Sequence, residues 1–258
     1  MRIFVITDLE GVAGVQRWTQ TREAGAQNEQ AIRLLTAEVN AAVDGILDAV
    51  PEADVVVWDG HGSGAIDVER LHGRARFIPR GPIAPPYFLD EGFDALIFLA
   101  QHAMAGTRDA PLSHTYSSQS IAYYKLNGML MGEFGCRAAL AGSLGIPTVF
   151  ISGDDKVVAE ARALVPGIYG ATVKQGRGVE LAIHLSPPAA RTLIRQVAAE
   201  ATQHIADIPP FVLQPPYELE IRLLENVDAG RYRHHMGTEQ LDDRTFVMRS
   251  ERLSDLPI

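Results

Sequence analysis

The stretch Arg2-Ile3-Phe4-Val5-Ile6-Thr7-Asp8-Leu9-Glu10-Gly11 is an unbroken apolar run that stops at two carboxylates. Two further runs have the same form. Asp54-Val55-Val56-Val57-Trp58 stops at Asp59-Gly60-His61-Gly62, and Asp94-Ala95-Leu96-Ile97-Phe98-Leu99-Ala100 stops at Gln101-His102-Ala103. Continuous rather than alternating hydrophobicity marks strands buried on both faces, as in a parallel sheet covered by helices. Between the first two runs, Ile32, Leu35, Val39, Val43, Ile46, Leu47 and Val50 form a helical stripe over Gln27–Val50, which Pro51 ends. The result is a βαβ unit with the usual right-handed crossover. A fourth strand over Pro147–Ile151 runs into Ser152-Gly153-Asp154-Asp155, after a helix that opens at Gly132-Glu133 and runs to Gly145. The expected fold is α/β: an open, mostly parallel sheet flanked by helices.

Beyond about Tyr169 the pattern changes. Short strands are expected over 170–174, 179–184, 218–224 and 245–249, with a helix over 188–205, and Pro209-Pro210 and Pro215-Pro216 punctuate the region. This reads as a smaller α+β C-terminal portion (171–258) after a metal-binding α/β core (1–170), with one continuous catalytic domain as the alternative. Segments 80–92, with Pro82, Pro85 and Pro86, and 106–119 read as loops that wall a site. The 258 residues suffice for a large core. A net charge of −9 with no Lys/Arg-rich run argues against nucleic acid as a partner. A single cysteine, Cys136, excludes an internal disulfide and a cysteine zinc knuckle. With no leader-like N-terminus and no apolar run of membrane-spanning length, the expectation is a cytoplasmic protein without a membrane partner.

In open α/β sheets, ligands bind beyond the carboxyl ends of the strands. Asp8 and Glu10, two apart, face the same side of a strand end. His61 lies between two glycines that let a ligand approach, and Asp59 is placed to orient its imidazole. His102 ends the third strand. Glu133 opens a helix, where a carboxylate is favoured by the helix dipole, yet its neighbours are small and apolar. Asp8, Glu10, His61, His102 and Glu133 are more donors than one catalytic zinc needs and too few for two unless one is shared, and Asp8 is the candidate bridge. Manganese, cobalt or iron also suit such donors. His114, in the polar loop Ser113-His114-Thr115, is the candidate for acid–base work or nucleophilic attack. His72, His184, His204 and the pair His234-His235 read as non-ligands, Cys136 as packing, and Asp154-Asp155 as a helix cap. Gly11-Val12-Ala13-Gly14 is not a dinucleotide fingerprint.

In this order the segments Thr7–Gly14, Asp59-Gly60-His61, Gln101-His102-Ala103, Ser113-His114-Thr115, Gly132–Gly135, Gly153-Asp154-Asp155 and Val173-Lys174-Gln175 resemble the zinc-dependent D-aminopeptidase family. They span about two-thirds of the chain. The resemblance implies two Zn²⁺ per subunit on Asp8, Glu10, His61, His102 and Glu133, with His114 catalytic. It implies hydrolysis of the N-terminal residue, of D configuration, from short peptides or amino acid amides, and a homo-oligomer, a ring-shaped decamer. Gly60 stands where the family usually has Ser, and the tail after Tyr217 matches poorly. Lys174 is a candidate for stabilising the oxyanion or the peptide carboxylate. A dimetal phosphoesterase and a catalytically idle metal- or peptide-binding protein are the alternatives.

Overall fold

The computed structural model describes residues 1–81, 83–233 and 237–258. The chain runs β1 (Arg2–Thr7), α1 (Trp18–Arg22), α2 (Ala26–Ala49), β2 (Asp54–Asp59), β3 (Ala75–Ile78), β4 (Ala95–Gln101), β5 (Ile121–Leu126), β6 (Met129–Met131) and α3 (Glu133–Ser143). It continues β7 (Thr148–Asp154), α4 (Asp155–Leu164), β8 (Tyr169–Gly178), β9 (Leu181–His184), α5 (Pro187–Gln203), β10 (Tyr217–Leu223), α6 (Gly230–Arg233), β11 (Thr238–Asp242) and β12 (Thr245–Ser250).

The main sheet has the order β3-β2-β1-β4-β7-β8-β9. All its pairings are parallel except the last, between β8 and β9. From β1 the chain moves one way to β2 and β3; from β4 it moves the other way to β7 and β8. The strand order therefore reverses between β1 and β4, and a crevice opens at their carboxyl ends. Strand β4 is buried along its whole length and β1 from Ile3 onward, as the unbroken apolar runs require. Helix α2 packs on α5 and α3 packs on α4, so two helix pairs cover the sheet. In α2 the stripe Ala31, Leu35, Val39, Ala42, Val43 and Ile46 is the buried face. Phe98 of β4 meets Phe134 of α3 edge-on at 5.0 Å; burying each such ring contributes about 2–3 kcal/mol.

A second, antiparallel sheet has the order β11-β12-β10-β5-β6. It joins the hairpin at 121–131 to the C-terminal strands. The boundary expected at 170/171 falls inside β8. Strands β3, β5, β6 and β11 escaped the sequence reading, being short or only partly buried. Among the described residues, no helix is long and apolar enough to cross a membrane.

Candidate metal centre

Two glycines set the floor of the crevice. Strand β4 breaks its register with β7 between Phe98 and Gln101, and Ala100 takes a left-handed conformation, φ 58°. This bulge turns His102 into the crevice. Gly11 donates its N–H to the Ala100 carbonyl at 2.7 Å. A Cβ on Gly11 would lie 2.2 Å from the Ala100 carbonyl carbon, and one on Gly153 would lie 2.1 Å from the Gln101 carbonyl oxygen. Only glycine on both sides lets the neighbouring chains close on the bulge and keep Asp8 beside His102.

All five expected ligands converge there, and all are buried. Asp8 lies at the centre, presenting Oδ1 to His61 Nδ1 at 3.0 Å and Oδ2 to His102 Nε2 at 3.1 Å. Glu10 Oε2 is 3.2 Å from His61 Nδ1, and Glu133 Oε1 is 3.3 Å from His102 Nε2. The polypeptide fixes each imidazole by its other nitrogen. His61 donates from Nε2 to the Thr21 carbonyl at 2.9 Å, and His102 donates from Nδ1 to the Ala103 carbonyl at 3.0 Å. Gln101 Nε2 donates to Asp8 Oδ2, and the Tyr116 N–H donates to Glu133 Oε1. Such outer contacts orient metal ligands.

His114 joins by stacking. Its ring lies 3.9 Å from that of His102, tilted by 15°. Its Nδ1 donates to the Leu112 carbonyl at 2.9 Å, so Nε2 is the free acceptor, 3.8 Å from Glu133 Oε1. Burial and the neighbouring His102 push its pKa down, which keeps it neutral at pH 7.

Three carboxylates and three imidazoles thus form two groups, Asp8/Glu10/His61 and His102/His114/Glu133, with ligand atoms in each within 4.8 Å of one another. Donors ~2.1 Å from a tetrahedral zinc stand about 3.4 Å apart, which the observed 3.0–3.3 Å separations approach. Glu10 Oε2 and His102 Nε2, one from each group, are buried without a well-formed hydrogen bond among the described residues. The electrostatics agree. Burial raises the Asp8 carboxyl, but hydrogen bonds and charge from His102 and His61 outweigh it and hold it well below the usual range. Burial likewise opposes ionisation of Glu133, yet His102 and Arg137 draw it down to about 2. The same carboxylates hold both histidines protonated against burial. A divalent cation at these atoms replaces those protons as the positive charge. The donor set fits metal.

Two expectations need correction. Lys174 does not reach the cleft: its buried ammonium donates to the carbonyls of Glu10, Val12 and Val15. It sits behind Glu10 and clamps the loop that follows β1; the Val12 carbonyl also accepts the Val15 N–H, while the ammonium is the donor to those of Glu10 and Val15. Asp59 does not hold the His61 ring; its Oδ2 accepts from the Ala65 and Ile66 N–H groups and shapes the loop after β2. Other polar and thiol side chains lie outside the two ligand groups. Asp154 caps α4 through the Lys156 and Val157 N–H groups, Cys136 is buried, His72 pairs with Asp44, and His184 accepts from the Gly14 N–H. His204 donates from Nδ1 to the Glu200 carbonyl. The pair His234-His235 lies outside the described residues. Thr21, Gln101 and Arg137 were missed as contributors. Arg137 alone had a signal, four residues after Glu133 and so on the same helix face.

A doubly flanked parallel sheet that gathers carboxylates and imidazoles at its switch point is the architecture of an α/β protein with a candidate metal centre. The chain belongs to the D-aminopeptidase family, peptidase M55, whose sequence model matches residues 1–256. It is 29% identical over 219 residues to the D-aminopeptidase of Bacillus subtilis (strain 168), covering 84% of this chain and 78% of that protein. Its fold is similar to that of the Zn-dependent D-aminopeptidase DppA from Bacillus subtilis, a self-compartmentalizing protease. The TM-score is 0.91 at 25% identity, over 98% of this chain and 93% of that one. The phosphoesterase and idle-binder alternatives give way to this family.

Proposed function

We propose that this aminopeptidase is a dizinc enzyme that releases an N-terminal D-amino acid from short peptides or amino acid amides. In this reading Asp8, Glu10 and His61 would hold one ion, and Asp8, His102 and Glu133 would hold the other. The central position of Asp8, with one oxygen toward each histidine, carries the assignment. When bound, the pair of cations supplies Lewis acidity at the scissile carbonyl and lowers the pKa of the attacking water.

The protein's own groups do the rest. His114 Nε2, neutral and unencumbered, takes a proton and returns it to the leaving amine, or attacks the carbonyl itself. Thr21 and Ala103 hold the ligand imidazoles in one tautomer. The cleft, about 570 Å³ and lined by His114, Tyr116, Ser117, Ser118 and Gln119 among others, takes a small peptide. The antiparallel sheet, which ties 121–131 to the C-terminal strands, supports reading the two portions as one catalytic unit.

A homo-oligomer, a decameric ring, is part of the proposal. It draws support from the self-compartmentalizing relative and from the sheet edge at β9, where Val179, Leu181 and Ile183 are 57–60% exposed. A cytoplasmic location completes it, testable by cell fractionation. The function is tested with a panel of matched D- and L-amino-terminal dipeptides and amides on protein reconstituted with counted zinc, manganese, cobalt or iron. Two zinc ions per chain and turnover of the D series are expected. One ion per chain, or turnover confined to the L series, overturns the respective part.

A further inference from the structure

Among the described residues Arg137 is the one arginine or lysine buried in the cleft lining, and the proposed reaction makes no use of it. It lies one helical turn after Glu133 on α3 and lines the cleft, yet only 7% of its surface is exposed. Its guanidinium carbon sits 5.0 Å from the Trp58 ring, 5.8 Å from Tyr87 and 5.4 Å from Tyr116. Trp58 and Tyr87 stack at 4.7 Å, and the Tyr87 hydroxyl is anchored on the Ile258 carbonyl. The aromatic box holds the planar fork rigid and keeps water off it. Both effects strengthen a charged hydrogen bond to an incoming anion.

The charge around this guanidinium rests mainly on one carboxylate. Its acidic neighbour is Glu133, with Oε2 at 3.4 Å from Nη1. The other Glu133 oxygen faces His102 and the Tyr116 N–H. Were Glu133 to serve as a metal ligand, its negative charge would be shared with the metal, and the buried cation would face the cleft less fully compensated. A buried charge in that condition is costly. Arg137 Nε also has no hydrogen-bond partner among the described residues. Arg22 and Arg80 add positive charge at the mouth, although the protein as a whole carries −9. With Asp8, Glu10 and Glu133 engaged by metal, these three guanidiniums would leave the cleft suited to an anion.

We propose that Arg137 receives the C-terminal carboxylate of the substrate and thereby makes the enzyme selective for dipeptides with a free carboxyl end. This rests on the peptidase reading of the same cleft. The short reach from Arg137 to the ligand carboxylate suits a dipeptide. Arg137 is one carboxylate's width from the metal-ligating atoms. In a dipeptide the carboxylate carbon lies three bonds from the scissile carbonyl carbon, at most ~4.3 Å along the chain. A tripeptide moves it ~3.5 Å further away. The guanidinium fork suits a carboxylate in two-point contact, which an amide cannot match.

The test compares wild-type holoenzyme with Arg137→Gln and Arg137→Lys on four substrates: D-Ala-D-Ala, its C-terminal amide, D-Ala-D-Ala-D-Ala, and D-Ala-D-Asp amide. Zinc content is measured for each protein. Binding of the first two is also measured by calorimetry in a zinc-loaded His114→Ala background, with and without Arg137→Gln. The wild type is expected to favour the acid over its amide at least tenfold in kcat/KM, mainly through KM. Arg137→Gln is expected to reduce that ratio tenfold or more, with Arg137→Lys in between, and to weaken binding of the acid more than of the amide. An equal fall for acid and amide overturns the proposal, since Arg137 then only props Glu133. A wild type indifferent to the carboxylate, or an Arg137 effect confined to the aspartyl amide, overturns it as well. If the wild type cleaves none of the four, the peptidase reading fails. The binding arm still decides the carboxylate, for or against, by whether acid outbinds amide only when Arg137 is present.

Discussion

Asp8, Glu10 and His61 stand at the ends of two adjacent parallel strands, whereas His102, His114 and Glu133 are drawn from a bulged strand end, a loop and a helix start. The first trio is set by sheet register, because Thr7 and Asp59 are paired residues of β1 and β2. The second depends on the bulge at Ala100, on the His102–His114 stack and on Phe134 seating α3 against β4. Each half nevertheless carries the same device behind it. Glu38 accepts the Ala13 N–H in the loop after Glu10, and Glu160 accepts the Met104 N–H two residues after His102. Burial raises both carboxyls to about 7, and each has one oxygen without a partner among the described residues. The first half has one support more, the Lys174 clamp. A site can be equally precise on strands and on a loop, provided that buried groups tie down the segment beyond each ligand.

Asp8 is where the halves meet, so its loss should have the largest effect. Asp8→Ala is expected to empty both positions and cut turnover at least ~10³-fold; metal analysis showing one ion retained would break the bridging assignment. Glu10→Gln and Glu133→Gln should each lose about one ion of two, from opposite halves. Next comes His114→Ala. It should lower kcat about 10²-fold or more while both ions stay bound, and loss of an ion would instead make His114 a ligand of the second half.

Lys174→Met tests the extra clamp. It strands the Glu10 and Val15 carbonyls and should cost about 3 kcal/mol of stability, read from the urea midpoint. The smallest effect compares the two carboxyl braces. A carboxyl raised from 4.5 to about 7 contributes stability that is complete below pH 4.5 and lost as pH rises through 7. Glu38→Gln and Glu160→Gln should each flatten the fall in unfolding free energy between pH 4.5 and 8 by about 2–3 kcal/mol at most. If only one variant does so, the symmetry between the halves fails.

Much of this was legible in the chain itself. Burial on both faces forces an unbroken apolar run, so β1, β2, β4 and β7 declared themselves, and the polar residues at their ends named Asp8, Glu10, His61 and His102. Glu133 was legible as a carboxylate among small residues. The edge and hairpin strands β3, β5, β6 and β11 were not, because partial burial leaves no continuous pattern. Lys174 and Asp59 were misplaced for a related reason: a polar side chain goes where unsatisfied backbone groups lie, and those appear only when distant segments pack.

By itself the sequence determined which strands are buried, where they stop, and which side chains of metal-binding chemistry wait at their ends. Only the tertiary structure decided that β1 and β4 lie side by side with glycines pressed on the bulge between them. That contact gives Asp8 two histidines, one on each oxygen, and aims Arg137 into the cleft. The division has one physical cause. Hydrophobic periodicity is written along the chain, whereas the direction of a side chain is settled by the partners that folding brings to it.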